Sequence, residues 1–273
     1  MVATQQHAYS SGTACCCFIL FITIHIQLLF VVPAPMLNAG TFQDEFDVTW
    51  GFDHVTTSSD GQALWLMLDN SSGSSMASKR SYLFGSVSME MKLIPQDSAG
   101  VVTAYYMAST GNAETRDELD FEFLGNQSGE PYILQSNVYA RGTGGREQRI
   151  NLWFDPTQDF HAYSFSWTPH HILFMVDEVP IRVFKNGEKY GVPYLNTQAM
   201  GIYSSIWNGD EWATQGEVSE CKGFPNPSWG SPSSLTASQL ADLERVKQSY
   251  MVYDYCTDSS RYKSAPTECS FNP

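Results

Sequence analysis

Glu118-Leu119-Asp120-Phe121-Glu122-Phe123 is a stretch in which acidic and apolar residues alternate without a break. A period of two is typical of a β-strand whose two faces meet different surroundings. We expect the three apolar side chains to point into a hydrophobic core and the three carboxylates to line the opposite face in one row. The stretch therefore predicts a strand at the boundary between a core and a polar surface.

Three carboxylates in one row repel each other, and their mutual field raises the pKa of at least one of them. A glycosidase that works with two carboxyl groups needs one of them ionised and one protonated at the same pH. Glu118 and Glu122 lie about 13 Å apart along a strand backbone, and converging side chains can close this to the roughly 5–5.5 Å of a retaining glycosidase. Asp120 lies between them. The pattern also fits an acidic, solvated face of an ordinary sheet, so the alternation by itself leaves both interpretations open.

Short apolar segments and turn residues follow one another along most of the chain. Strands are predicted at 63–68, 82–94, 101–107, 132–139, 160–167, 171–177 and 180–186. Strands at this spacing, with little helical periodicity between them, are typical of a β-sandwich. A length of 273 residues suits one all-β domain better than two.

The composition excludes some classes of partner. The formal net charge of −14 argues against binding nucleic acid, because the phosphates would repel an acidic protein. The chain contains 7 Trp, 14 Tyr and 16 Phe, and exposed aromatic rings are suited to stacking on sugars, although most such residues belong in a core. No metal site is expected, because His161, His170 and His171 lack a fourth ligand at a sensible spacing.

The N-terminal segment differs from the rest of the chain. Residues 1–39 contain no Asp, Glu, Lys or Arg, and residues 15–32 form a nearly continuous apolar run. This pattern predicts a secretory signal peptide that is cleaved near Ala39 or Gly40. An uncleaved membrane anchor is the alternative, because a run of this length is sufficient to span a bilayer.

The acidic stretch and its flanks, Arg116-Asp117 before it and Leu124-Gly125-Asn126 after it, resemble the active-site strand of plant xyloglucan endotransglucosylase/hydrolases, which belong to glycoside hydrolase family 16. The resemblance implies that Glu118 is the nucleophile, that Asp120 tunes it, and that Glu122 is the general acid/base. It also implies that no metal or organic cofactor takes part. The family usually has His where this chain has Arg116.

A second match lies at residues 200–214, where Trp207 precedes Asp210-Glu211-Trp212-Ala213-Thr214. The resemblance makes Trp207 and Trp212 platforms for sugar stacking, with the alternative that one of them is a core tryptophan. It further implies contacts with the glucan from a set of polar and small residues, with Arg149 nearby: Gln135, Asn137, Arg146, Glu147, Glu211, Gly216 and Arg261. Amide side chains supply the donors and acceptors that sugar hydroxyls need.

The resemblance breaks after Gly216. A segment of the family that holds an aromatic-rich strand and a cysteine has no counterpart here, which indicates an internal deletion near residues 217–225. Loss of an interior strand exposes backbone groups and core surface of its neighbours, so we expect the deletion to weaken the fold. Cys221 is left without its family partner.

The C-terminal part contains the one predicted helix. Leu240, Leu243, Val246 and Tyr250 recur at helical spacing, which predicts a helix from Ser238 to Tyr253 capped by Ser238 or Thr236. The family has a C-terminal extension with a disulfide, and this implies that Cys256 and Cys269 are paired. Asn126-Gln127-Ser128 is an N-glycosylation sequon at a place where the family carries one.

The expected architecture is all-β, a concanavalin-like β-jelly-roll sandwich with a C-terminal helix and extension. Residues 1–39 are assigned to the signal peptide, 40–230 to the catalytic sandwich and 231–273 to the extension. The resemblance implies an enzyme that cleaves xyloglucan and religates it to an oligosaccharide acceptor, or hydrolyses it, as a secreted monomer of the cell wall without stable membrane association. The alternative is a carbohydrate-binding protein that lost catalysis with the missing strand.

Overall fold

The computed structural model describes residues 18–25, for which only the backbone is considered, and residues 40–127, 129–209 and 235–272. The expected deletion near 217–225 and residue 39 at the expected cleavage site lie outside these ranges. None of the helices within the described ranges is long and apolar enough to cross a membrane.

Antiparallel strands dominate the described ranges, and two α-helices accompany them. The helices are α1 (Phe42–Glu45) and α2 (Ala237–Tyr250). The strands are β1 (Phe18–His25), β2 (Phe46–Trp50), β3 (Val55–Thr57), β4 (Leu64–Leu68), β5 (Ser74–Tyr82), β6 (Gly85–Lys92), β7 (Val101–Ser109), β8 (Glu118–Leu124), β9 (Ile133–Tyr139), β10 (Gln148–Asn151), β11 (His161–Trp167), β12 (His171–Val176), β13 (Val179–Lys185), β14 (Met200–Asn208) and β15 (Met251–Asp254).

The strands form two sheets. One has seven strands in the order β13-β12-β11-β6-β1-β4-β3, and the other has eight in the order β15-β10-β9-β8-β7-β14-β5-β2. The acidic strand β8 lies inside the eight-stranded sheet, between β7 and β9. Its backbone is therefore paired on both sides, which holds its side chains in fixed positions.

The two sheets pack face to face through aromatic rings. Phe121 of β8 stacks on Phe165 of β11 at 4.7 Å between ring centroids and meets Phe174 of β12 edge-on at 5.4 Å. All three rings are fully buried. The predicted β-sandwich is confirmed, and the inward face of β8 anchors its core.

Strand β1 comes from the apolar segment that the sequence assigns to a signal peptide. Residues 18–22 pair with residues 64–68 of β4, and residues 21–25 pair with residues 88–92 of β6. Strands β4 and β6 have no pairing with each other, so β1 joins two parts of the seven-stranded sheet. Signal cleavage stays a prediction, but it would remove a strand that this sheet contains.

The C-terminal helix begins as predicted, because Thr236 caps it and forms a capping box with Gln239. The prediction that the helix continues to Tyr253 is wrong. The chain becomes extended at Met251, and β15 then pairs with β10 at the edge of the eight-stranded sheet. Pairing with β10 satisfies backbone groups that a longer helix would have satisfied internally.

Candidate active site

Strand β8 presents three carboxyl groups on the face of the eight-stranded sheet that points away from the core. Leu119, Phe121 and Phe123 are fully buried between the sheets. The acids alternate with them, and Glu118 and Asp120 keep 8% and 6% of their surface exposed, while Glu122 is half-buried. The division of faces that the alternation predicted is present.

Neighbouring strands place specific side chains beside each acid. Across the sheet, Asp120 lies between Tyr106 of β7 and Asn137 of β9. Glu122 lies between Ala104 and Gln135 in the same way. Directly opposite residues on antiparallel strands share a face, so polar groups of β9 stand next to the carboxyl row.

Glycine ends the acidic strand for a steric reason. A Cβ atom on Gly125 would lie 1.7 Å from the backbone oxygen of Ser98. Only a residue without a side chain allows the chain to leave β8 this close to the neighbouring loop.

The three acids do not titrate alike. Burial raises the pKa of Asp120 well above its usual value, and the negative charges of Glu118 and Glu122 raise it further. Burial also raises the pKa of Glu118, but the charge of Arg116 and a hydrogen bond with Asp120 oppose this increase. The pKa of Asp120 is the one raised well above its usual value, so when this hydrogen-bonded pair carries one proton, Asp120 is the donor and Glu118 the acceptor.

Arg116 forms an ion pair with Glu118 through Nη2 and Oε2. The Glu118 side chain is 11% exposed and that of Arg116 is 41% exposed, so the guanidinium reaches the carboxylate from the solvent side. A permanent cation at this position stabilises the ionised form of Glu118, and a carboxyl group is nucleophilic only in its ionised form.

Glu122 has a different set of partners. Its Oε2 accepts a hydrogen bond of 2.6 Å from Nε2 of Gln135. Burial raises the pKa of Glu122 above its usual value, against the effect of this hydrogen bond and of the Arg149 charge. Glu118 therefore faces an arginine and a second carboxyl group, whereas Glu122 faces the amide group of Gln135.

The remaining residues singled out in the sequence fall into three groups. Asn137 and Gln135 flank the carboxyl row, and Trp207 is half-buried near the end of β14, opposite Val102. Glu147 and Arg261 form an ion pair of 2.5 Å, which joins the C-terminal segment to the start of β10. Glu211, Trp212 and Gly216 lie outside the described residues.

Arg146 has a different surrounding from the one expected of a substrate contact. Its side chain is 7% exposed and pairs with Glu268 at 2.6 Å, a residue that is equally buried. The guanidinium also donates to the backbone oxygens of Val138 and Thr143. These contacts use its donors within the protein, so we leave Arg146 out of the proposed substrate contacts.

Two further expectations concern covalent features. Cys256 and Cys269 form a disulfide with a Cα–Cα distance of 5.6 Å, which confirms the expected pairing. Asn126 is half-buried after β8, and its Nδ2 donates to the backbone oxygen of Pro131 at 3.0 Å. Its glycosylation stays a prediction.

Among the described residues, no group of three or more His, Cys, Asp and Glu side chains could hold a metal ion.

Sequence reasoning missed an aromatic pair beside the acids. The rings of Tyr106 and Tyr203 stack at 5.0 Å with an angle of 12° between their planes. Tyr106 stands directly opposite Asp120, so the pair continues the acidic row across β7 and β14. The sequence feature that could have identified Tyr106 is its position in β7. It follows the fully buried Tyr105, so its side chain lies on the opposite face of the strand.

Comparison with known proteins gives consistent results. Residues 42–222 match the family described as glycosyl hydrolases family 16, and residues 225–269 match the xyloglucan endo-transglycosylase C-terminus. The probable xyloglucan endotransglucosylase/hydrolase protein 7 of Arabidopsis thaliana is 45% identical over 281 aligned residues, which span 92% of this chain and 96% of that protein. The xyloglucan endotransglucosylase/hydrolase 2 of Glycine max is 46% identical over 270, spanning 89% and 95%.

Solved structures share the fold. An apo Crh5 transglycosylase has a TM-score of 0.52 and 19% identity, covering 67% of this chain and 78% of its own. At this identity the likeness concerns the sandwich alone. From the family matches and the identities to the curated relatives, the chain belongs to glycosyl hydrolase family 16 and, within it, to the xyloglucan endotransglucosylase/hydrolases.

Proposed function

We propose that this protein is a retaining enzyme that cuts and rejoins xyloglucan, with Glu118 as the nucleophile and Glu122 as the general acid/base. The observation that supports this most directly is the row of three carboxyl groups on β8, in which an arginine pairs with Glu118 and an amide binds Glu122. The family to which the chain belongs supplies the substrate class.

The first step forms a covalent intermediate. The ionised carboxylate of Glu118 attacks the anomeric carbon and forms a bond to it, while the bond to the glycosidic oxygen breaks. Glu122 gives its proton to that oxygen, which leaves with the electron pair. Asp120, which is protonated, donates to Glu118 before the attack and keeps three negative charges from accumulating in one row.

The second step releases the intermediate. Glu122, now ionised, removes a proton from the hydroxyl group of an incoming glucan or from water. The oxygen attacks the anomeric carbon, and the carboxylate of Glu118 leaves. Attack by a glucan rejoins the polysaccharide, and attack by water hydrolyses it.

Residues around the row serve to hold the chain of sugars. Asn137 and Trp207 are proposed as contacts on the sheet, and the Glu147–Arg261 pair as a contact from the C-terminal side. Glu211, Trp212 and Gly216 complete the proposed set. A disulfide in the same segment favours an oxidising compartment, and we place the enzyme outside the cell, in the cell wall.

A transfer assay tests the proposal. Polymeric xyloglucan is incubated with fluorescent xyloglucan oligosaccharides, and size-exclusion chromatography follows the label. We expect the label to move into polymer with the native protein and not with Glu118→Ala or Glu122→Ala. Glu244→Gln, which changes an exposed carboxylate on α2, is the matched control and keeps full activity.

Azide distinguishes the two carboxyl groups. With an activated glycosyl fluoride, azide replaces the missing nucleophile of Glu118→Ala and gives a product of inverted configuration. With Glu122→Ala it attacks the glycosyl-enzyme, because azide needs no general base, and gives a product of retained configuration. Xyloglucan binding without turnover by the native protein would instead support the alternative of a carbohydrate-binding protein that has lost catalysis.

A further inference from the structure

Four side chains form a second row across the eight-stranded sheet, from β8 to the C-terminal strand. Glu122 lies opposite Gln135, Gln135 opposite Arg149, and Arg149 opposite Tyr253. Since directly opposite residues share one face of the sheet, these four side chains line up on the face that carries the acids. The row connects a proposed catalytic group to the C-terminal segment.

The members of this row contact each other in sequence. Nε of Arg149 donates to Oε1 of Gln135 at 2.6 Å, and Nε2 of Gln135 donates to Oε2 of Glu122 at 2.6 Å. The guanidinium carbon of Arg149 lies 5.4 Å from the centroid of the Tyr253 ring, within the distance of a cation–π contact. Gln135 is 2% exposed, so the protein encloses its amide group.

The chemistry of these groups gives the row a direction. A guanidinium has only hydrogen-bond donors, so the side of Gln135 that faces Arg149 must be its oxygen. The NH₂ group of Gln135 must then face Glu122. An NH₂ group only donates, so Oε2 of Glu122 must accept, and a proton on Oε2 directed at Gln135 would have no acceptor.

On the basis of the function proposed above, we infer that Arg149, held by Tyr253, is a positioning residue that fixes the amide of Gln135 and thereby keeps the acid proton of Glu122 on Oε1. In the first step, Oε1 gives this proton to the leaving oxygen as the glycosidic bond breaks. In the second step, Oε1 takes the proton of the incoming hydroxyl. The C-terminal strand β15 thus takes part in general acid/base catalysis without touching the reacting atoms.

The position of Tyr253 is itself secured. Its hydroxyl group donates to Oδ2 of Asp258 at 2.9 Å, and the Cys256–Cys269 disulfide closes the segment that follows β15. The ring therefore stays over Arg149 only while the C-terminal segment is docked on the sheet.

Leaving-group dependence tests the inference on the full chain. Arg149→Met keeps an unbranched chain against Tyr253 but removes the donor and the charge, whereas Arg149→Lys keeps both. The substrates are one xyloglucan oligosaccharide linked to 2,4-dinitrophenol, which leaves without protonation, and polymeric xyloglucan, which requires it. General acid catalysis contributes about 10²–10⁴-fold, and we expect Arg149→Met to lose roughly 10–100-fold in kcat/KM on xyloglucan.

The same variant is expected to keep kcat/KM on the dinitrophenyl glycoside within about threefold, and Arg149→Lys is expected to recover most of the lost rate on xyloglucan. Since the Arg149 charge and the Gln135 hydrogen bond both lower the pKa of Glu122, the basic limb of the pH profile should move to higher pH in Arg149→Met. Tyr253→Leu should show the same substrate selectivity in weaker form. Arg245→Met, on the exposed face of α2, is the control and changes neither rate.

Two outcomes overturn the inference while the proposed function stands. One is an equal loss on both substrates, which indicates a purely structural role of Arg149. The other is no loss on xyloglucan. If the native protein turns over neither substrate, the proposed function fails, and this result differs from both.

Discussion

The buried pair of Arg146 and Glu268 gives a prediction that distinguishes a structural role from a substrate contact. Both side chains are 7% exposed, and the Nε–Oε1 distance is 2.6 Å. Removing one partner of a buried pair leaves the other charge uncompensated, which costs about 3–5 kcal/mol. We therefore expect Glu268→Ala to lower the free energy of unfolding by this amount.

For a chain of this size, such a loss corresponds to a decrease of roughly 6–20 °C in the melting temperature. The assay is thermal and urea unfolding followed by circular dichroism. The exposed pair of Asp242 and Arg245 on α2, with side chains 41% and 48% exposed, is the matched control. Asp242→Ala should cost about 0.5 kcal/mol or less.

A double variant separates lost charge compensation from lost packing. Arg146→Met combined with Glu268→Leu removes both charges and keeps apolar volume, and replacing a whole buried pair is often neutral. We expect it to be more stable than Glu268→Ala alone. The reasoning would be refuted if Glu268→Ala cost no more than Asp242→Ala, or if it raised KM for xyloglucan without lowering stability.

Three further predictions concern the acidic row and the N-terminal strand. Arg116→Gln removes the cation beside Glu118, so the acidic limb of the kcat/KM profile should move up by about one pH unit, a shift typical of a nearby opposite charge; an unchanged limb contradicts the proposed role of this pair. Asp120 has a raised pKa in the folded state. The stability that its protonated form contributes is therefore fully present below the unfolded pKa of about 3.9 and is lost as pH rises through the folded pKa. Asp120→Asn should therefore have a higher melting temperature than the native protein at pH 7 and the same melting temperature near pH 3, and it should lose activity. Equal melting temperatures of the two proteins at both pH values would refute this prediction. A chain that begins at Gly40 lacks β1, and it should melt well below the full-length chain in a calorimetric scan, because β4 and β6 lose their pairing; equal melting temperatures would show that β1 contributes nothing.

Local patterns predicted the parts of this protein that depend on neighbouring residues. The alternation of β8 predicted its two faces, because a strand with a core on one side must alternate. Thr236 was one of two residues predicted to cap α2, because a hydroxyl before a helix binds the free N–H groups of its first turn. The end of that helix was missed, since it depends on pairing with β10, which is distant in sequence.

The burial of Arg146 was predictable from the strand pattern. In the two-residue alternation that leads into β10, Arg146 falls on the same face as Gln148 and Ile150, which are buried. Glu147 and Arg149 fall on the opposite face and are half-buried. A resemblance to a family transfers a residue type but not the direction of its side chain. The alternation of buried and exposed positions along the strand indicates that direction. The contact between Arg149 and Gln135 could not be predicted, because the register between β9 and β10 is a tertiary feature.

Because β1 comes from the predicted signal peptide, the composition of the seven-stranded sheet depends on whether that peptide has been removed. A leader that a peptidase cuts off during export cannot also serve as an interior strand, so removal of the leader and completion of the seven-stranded sheet exclude each other in the same molecule. In a cleaved molecule the facing backbones at 64–68 and 88–92 would need another strand to bind their N–H and C=O groups. The mass of the mature protein therefore reports whether its seven-stranded sheet contains β1.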